Sequence, residues 1–434
     1  MYKVNKEIPI TGSYDVVVCG GGPAGFIAAI AAARSGARTA LVEQYGFLGG
    51  MATAGYVAPV SVFTYNGQKV IGGIPWEFAE RLQECGGGMM GKPLGNLAFE
   101  PEAYKLCCQR MVLEAGVKLY LHAYLTDCIL GENRIINAIV IENKNGTEAL
   151  EAKVFIDCTG DADLAERAGV PMQKDNNSHM QPLSTYFILS GVVTSTPRMQ
   201  EAMNHNRQGV NCQCESIRAE LIRHREEWNV PEFGGPWFCT TLQPGVVTVN
   251  MTRTTGNSCD NRDFTRAECE LREQAFHMAS ILKKHFREFR DSYISSIAVQ
   301  AGVRESRRIK GAHTITADEY VTAYRYPDSI SRGAHPIDIH IADGYEQKLT
   351  FLKQPAFVPY RALYAEGFPN LLVAGRCISA DKEAFASLRV QASCMGTGQA
   401  AGVAAASAAS SGLDVDRIDT AGLIAKLKQF GAVL

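Results

Sequence analysis

A chain of 434 residues that is 46% hydrophobic and 20% charged can build a sizeable core and has room for two or three domains, which excludes wholesale disorder. Its 43 Lys and Arg against 45 Asp and Glu leave a net charge of −2, so nothing electrostatic draws it to nucleic acid or an anionic membrane. The 13 cysteines do not read as a disulfide framework. The opening MYKVNKEIPITG is polar rather than a secretory signal, and Cys19, Cys107, Cys128 and Cys158 sit in apolar or helical runs, where a reduced thiol packs as a small hydrophobe. A reducing cytoplasm is the expected home. Cys212 and Cys214 find no second C-x-C or C-x-x-C to complete a metal site, so no metal is expected. The Ala-rich stretches Phe26–Ala33 and Ala400–Ala409 are too short and too interrupted by Gly and Ser to span a bilayer; they read as helices packed on a sheet.

The first predicted unit starts at Tyr14. DVVVC is a short β-branched run of the kind that forms a fully buried parallel strand. It enters Gly20-x-Gly22-x-x-Gly25, a small-residue helix to Ala33, and a second strand, TALVE, ending in Glu43. Gly20 permits the tight turn, Gly22 lets a pyrophosphate approach the backbone, and Gly25 lets the helix pack on the strand. The helix N-terminus offers N–H groups and a positive dipole end to phosphates. Glu43 can accept both hydroxyls of a ribose, and its charge disfavours a 2′-phosphate. A second match to the glycine pattern, Gly86 to Gly91, follows the helical segment WEFAERLQEC instead of a strand, and a flexible loop is expected there.

After Glu43 a glycine- and alanine-rich run leads to helices near Pro75–Cys85 and Pro101–Ala115. The strands VKLYLHAYLTDCIL and RIINAIVIE and the ENKNGTEAL turn predict an antiparallel meander, and VFIDCTGD a further buried strand. From about Pro171 to Pro355 the composition becomes more polar. In that segment residues 265–290 carry Leu271, Ala275, Met278 and Leu282 at helical spacing, a core-facing stripe. Residues 199–229 read as a polar helical stretch broken at Gly209.

Three constellations could carry chemistry. In Arg304-Glu305-Ser306-Arg307-Arg308, read as a strand, Arg304, Ser306 and Arg308 share one face and Glu305 and Arg307 the other. One set is placed to meet a carboxylate or the flavin while the other forms an ion pair; an internal salt-bridge network is the competing reading. In His335-Pro336-Ile337-Asp338-Ile339-His340, His340 shares a face with Asp338 and is the candidate proton donor or acceptor, against a purely structural histidine. In Val358-Pro359-Tyr360-Arg361, Arg361 could stabilise negative charge or mark a hinge, and Tyr360 could simply pack.

GGGPAG with Glu43, GFLGGMATAG (46–55), DCTGDADLA (157–165), RESRRIKG (304–311), PIDIH (336–340), VPYRALY (358–364), and LLVAGRCIS with RVQASCMGTGQAAGVAAA (371–379 and 389–406) occur in this order. In this the chain resembles the FAD-dependent oxidoreductase family, flavoproteins built like glutathione reductase, on the branch near the succinate dehydrogenase and fumarate reductase flavoprotein subunits. The resemblance implies an α/β fold: a Rossmann-like FAD-binding domain with an antiparallel meander (1–170 and 356–434) and an inserted α+β substrate or capping domain (171–355). It implies FAD held by Gly20, Gly22, Pro23, Ala24 and Gly25, by Glu43 and Gln44, and by the loop of Gly49, Gly50, Met51, Ala52 and Thr53. Leu125 would meet the adenine; Thr159, Gly160 and Asp161 would close over the cofactor. Gly375 and Arg376 would follow, with the Gly396, Gly398, Gln399, Ala400 turn opening the last Ala-rich helix towards the flavin. Some members of that branch bond the flavin covalently to a histidine in the loop after the second strand; no histidine lies between Glu43 and His122, so the resemblance, with this departure, implies a non-covalently bound flavin.

The function expected is hydride transfer between FAD and a small, carboxylate-bearing substrate, with Arg304, Arg307 and Arg361 handling charge and His340 the proton. A separate electron donor or acceptor completes the cycle, and an oligomer is compatible with it. The alternative is an electron-transfer subunit of a larger redox complex with no substrate of its own; the lack of an iron–sulfur cysteine run weighs against it.

Overall fold

Strand β1 (Ile10–Cys19) is laid down by the VVVC run, whose valines are fully buried, and helix α1 (Pro23–Arg34) follows directly, with Pro23 at its start. The chain is seen here as a computed structural model that describes residues 2, 6–92, 95–173, 180–200, 202, 214–341 and 346–434. Strand β2 (Thr39–Val42) lies parallel to β1, Val16 opposite Thr39. Helices α2 (Ile74–Glu84) and α3 (Pro101–Glu114) come next. The second glycine motif forms a short hairpin, Met89 opposite Ala98, where a loop was expected.

The run VKLYLHAYLTDCIL is not one strand. β3 (Lys118–Tyr120) lies parallel to β2, and β4 (Tyr124–Leu130) starts a new direction. The break falls at His122, which has φ of +53°; the His122 and Ala123 N–H groups donate to Tyr45 O and Glu43 O, tying the bend to the loop after β2. β4, β5 (Ile136–Asn143) and β6 (Gly146–Asp157) are successively antiparallel. β6 lies parallel to β1 along one edge, while its other edge is shared.

The second layer is an antiparallel sheet formed by β7 (Phe187–Ser190), β8 (Trp237–Thr240), β9 (Val246–Asn250) and, after helix α4 (Asn261–His285), β10 (Tyr293–Ile297). Its order is β8-β9-β7-β10. The stripe of Leu271, Ala275, Met278 and Leu282 is buried, and the Asp260 side chain caps α4 by accepting from Arg262 and Asp263 N–H. Phe187, Phe238, Val249, Met278 and Phe289 form a core distinct from the first. Gly209 and Cys212 lie outside the described residues.

Ile309, Ile315, Tyr320, Ile330 and Leu352 pack in the first core with β1. The chain therefore returns there near residue 309, ahead of the composition boundary at 355; the reason is that polar residues in this stretch alternate with a few large apolar anchors. β11 (Ser329–Gly333) pairs with β14 (Ala356–Pro359), and β12 (Ile337–His340) with β13 (Gln347–Thr350). β15 (Leu371–Val373) lies parallel to the second half of β6, where β5 has ended: Phe155 faces Leu371, whereas Leu150 faces Ile139 of β5.

The last Ala-rich helix, α5, runs Gln391–Ser411. It does not open at the Gly396–Ala400 turn, which lies inside it. The glycines serve helix packing instead: a Cβ on Gly398 would sit 2.2 Å from Ala24 O, and one on Gly402 2.2 Å from Ala28 O, so α1 and α5 touch along their backbones. None of the described cysteines forms a disulfide. Among the described residues no helix is long and apolar enough to cross a membrane.

Candidate active site

A cavity of about 620 Å³ runs from the C-terminal ends of β1, β2 and β6 to the second sheet, within the usual size of a cofactor or substrate site. At one end, Gly20 turns the chain at φ +95°, with Cys158 O 2.5 Å from where a Cβ would be. Gly22 faces the cavity, and its nearest neighbour to a Cβ would be Gly50 Cα at 3.8 Å. Among the described residues no side chain caps the N-terminus of α1. Glu43 is 5% exposed. Its Oε2 accepts from Gly21 N–H at 2.6 Å and its Oε1 from Tyr45 N–H at 2.9 Å. Burial pushes the carboxyl up to about 6 despite those donors.

Of the residues expected at this end, Gly20, Gly22, Pro23, Ala24, Glu43, Gln44, Gly50, Met51 and Leu125 line the cavity, as do Thr159, Gly160, Asp161, Gly375 and Arg376. Arg376 holds Asp161 at 2.7 Å. Gly25, Gly49, Ala52 and Thr53 stand behind the wall: Gly25 has Gly20 O 1.7 Å from a Cβ position, and Thr53 Oγ1 donates to Leu48 O at 2.8 Å. Gly396, Gly398, Gln399 and Ala400 are not among the lining residues. Gln399 Oε1 instead accepts from Ile74 N–H at 2.6 Å, joining α5 to α2. The end of α5 that meets the cavity is Val390, Gln391 and Cys394.

The other end gathers Tyr186, Trp237, Asn250, Arg304, His335, Asp338, His340 and Arg389. Arg304 Nη1 donates to Pro182 O at 2.8 Å and to Ser184 Oγ at 2.7 Å. No carboxylate pairs with Arg304 among the described residues; burial pushes its guanidinium down to about 10, so it stays charged at neutral pH. His340 Nε2 lies 3.2 Å from Asp338 Oδ2 and its Nδ1 3.4 Å from Arg253 Nη2. Arginine can only donate and a carboxylate only accept, so the ring proton is on Nε2 and both nitrogens are engaged. Burial, with Arg304 and Arg389 near, outweighs Asp338 and pushes His340 down to about 4. Asp338 is itself buried, but His340 and Arg389 hold its carboxyl far below the usual range. Gln347 Nε2 donates to Asp338 Oδ1 at 2.6 Å.

The residues around Arg304 do not alternate as a strand. Among the described residues no sheet partner holds residues 303–308 extended, and Arg304 and Arg307 both reach the cavity. Arg308 turns inward to a buried ion pair with Glu305 at 3.0 Å. Arg307 pairs with Asp163 and, at 3.4 Å, with Glu166. Arg361 lies away from the cavity, with Nε 3.1 Å from Asp328 Oδ2. Sequence reasoning passed over Trp237, Asn250, Arg389 and Gln391. Arg389 and Gln391 sit at the head of a quoted motif whose glycines drew the attention; nothing periodic marks Trp237 or Asn250. Among the described residues no group of three His, Cys, Asp or Glu could hold a metal.

The family model for FAD dependent oxidoreductases matches residues 15–429. The chain belongs to that family. FAD is its cofactor and oxidoreduction its chemistry. The dihydrolipoyl dehydrogenase of Trypanosoma brucei brucei is 62% identical over 42 residues, only 10% of this chain and 9% of that enzyme. Over 96% of this chain and 83% of theirs, two solved structures are similar: a geranylgeranyl bacteriochlorophyll reductase-like protein of Thermoplasma acidophilum (12% identity, TM-score 0.48) and the flavin-dependent brominase Bmp2 (13%, 0.49). The cavity of this FAD-dependent oxidoreductase fits its cofactor. Gly22 leaves room that any side chain would fill, α1 presents an uncapped N-terminus, and Glu43 keeps lone pairs on both oxygens. Buried Ser258 Oγ and Gln391 Oε1, both on residues of the cavity wall, have no partner among the described residues.

Proposed function

We propose that this FAD-dependent oxidoreductase moves a hydride between non-covalently bound FAD and a small, carboxylate-bearing organic molecule. FAD supplies a two-electron acceptor or donor when bound. The residues of the α1 turn, the Glu43 carboxylate and the 159–161 and 375–376 turns hold the cofactor; the second sheet caps it and, with Arg304, receives the substrate. The observation that carries this reading is Arg304, a cation 9% exposed that faces the cavity with no carboxylate of its own. A buried charge left without an anion is costly, and a ligand carboxylate in the fork of the guanidinium relieves it. Arg389, whose buried Nε has no partner among the described residues, adds a second donor. Arg307, tied to Asp163 and Glu166, orients the wall instead of the substrate. A separate electron carrier completes the cycle. The order of the motif blocks supports a place among the glutathione-reductase-like flavoproteins near the succinate dehydrogenase branch.

The test is anaerobic bleaching of the bound flavin by a panel of small carboxylic acids. A member of the panel should bleach it, and Arg304→Met should raise the half-saturating concentration roughly 10²-fold or more, the loss of two charge-assisted hydrogen bonds, with the flavin spectrum unchanged. Bleaching by uncharged analogues at equal concentration refutes the proposal.

A further inference from the structure

His335 lies between β11 and β12 and lines the cavity at 8% exposure. Its Nδ1 is 2.8 Å from Pro336 O. A carbonyl oxygen can only accept, so the neutral ring carries its proton on Nδ1, and Nε2 is left as a bare lone pair. No partner for Nε2 exists among the described residues. The other titratable groups at this end are already committed. His340 uses both nitrogens, and Asp338 takes Gln347 on Oδ1 and His340 with Arg389 on Oδ2. Burial pushes the Tyr186 phenol up to about 12, so it is protonated and accepts from Asn250 Nδ2 at 2.8 Å.

We infer that His335 Nε2 is the proton acceptor of the site, and that the resting protein is set for dehydrogenation of a carboxylate whose reacting carbon bears a hydroxyl or amine. This rests on the substrate reading proposed above. In the step, the O–H or N–H bond of the substrate breaks and an Nε2–H bond forms. The C–H bond on the same carbon breaks with its electron pair passing to FAD, and a C=O or C=N bond results. The imidazole is suited to accept because it is uncharged at rest. Burial holds its pKa below the usual histidine range, with Arg389 adding to the effect and Asp338 opposing it. His340, Arg304 and Tyr186 are the remaining titratable groups on this stretch of wall. Reduction in the opposite sense requires a protonated His335, which the burial and Arg389 disfavour.

The experiment uses the holoenzyme with nitrogen-15 histidine and a panel of lactate, malate, 2-hydroxyglutarate, alanine, aspartate and glutamate, with acetate and succinate as partners lacking the reacting group. At pH 7 the His335 signals should show a protonated Nδ1 and a bare Nε2, and Nε2 should shift on adding the acid that bleaches the flavin. His335→Gln should bind that acid with unchanged half-saturation and bleach about 10²-fold more slowly or worse, losing the acidic limb of the rate profile. A protonated Nε2 at pH 7, or an H335Q variant that bleaches as fast as the parent, overturns the assignment of His335 and leaves the substrate reading standing. A parent holoenzyme bleached by none of the six, or by succinate as readily, overturns the dehydrogenation itself.

Discussion

Glu43 is raised to about 6 by burial, and this one shift acts in opposite senses on folding and on cofactor binding. The unfolded carboxyl releases its proton near 4.5, whereas the folded one holds it to about 6. The apo protein therefore loses about 2 kcal/mol from this group as pH rises from about 4.5 to 6, which denaturant melts of apo protein across that range should show. Ribose hydroxyls donate best to the ionised form, so FAD affinity should fall as pH drops below about 6, read as release of fluorescent flavin. The place of Glu43 at the tip of β2 was legible because strand, glycines, helix and acid come in fixed order. His335 was not legible as the open nitrogen. Its role depends on a bond to the carbonyl of the next residue, a matter of backbone direction that no spacing encodes.

Glycines at the α1–α5 junction and at the α1 turn do different work, although both belong to motifs dense in glycine. Gly398 lets two helices meet at Ala24 O, while Gly22 meets nothing closer than 3.8 Å and has φ of −69°, open to any residue. Gly398→Ala should cost roughly 1–3 kcal/mol of stability by forcing the helices apart. Gly22→Ala should melt like the parent and bind FAD more weakly. Thermal melts with flavin titrations separate the two, and the reverse pattern would mean that the pyrophosphate lies elsewhere. The sequence pattern showed α5 but not its start. A glycine pair looks like a turn when read alone, whereas here the partner backbone of α1 and Ser331, 2.3 Å from a Cβ on Gly396, demand the missing side chains. The stripe on α4 was readable because one core covers one face at a 3.6-residue period.

At the scale of the molecule, the cavity spans from the first core's sheet, with Gly20 and Gly22 at one wall, to the second sheet, with Trp237 of β8 and Asn250 of β9 at the other. A ligand that touches both walls links them. FAD at a hundredfold excess over its dissociation constant should add about 2.7 kcal/mol of stability. Scanning calorimetry should show two resolved transitions in the apo protein merging towards one in the holoenzyme; an apo protein that already melts in one step shows that the cores are joined without it. The polar stretch between residues 309 and 355 concealed its return to the first core, since composition averages over the few anchors that decide where a segment packs. The divided edge of β6 bears on how the protein is made. Its second half stays unzipped until Leu371–Val373 arrives to lie beside Phe155–Asp157, and α1 lacks its backbone partner until Gln391–Ser411 is synthesised. Emerging from the ribosome, the proposed nucleotide-binding end has its turn and its acid early, yet must wait for Ser411 to be made before its floor is complete, with a bare β edge that chaperones have reason to shield in the meantime.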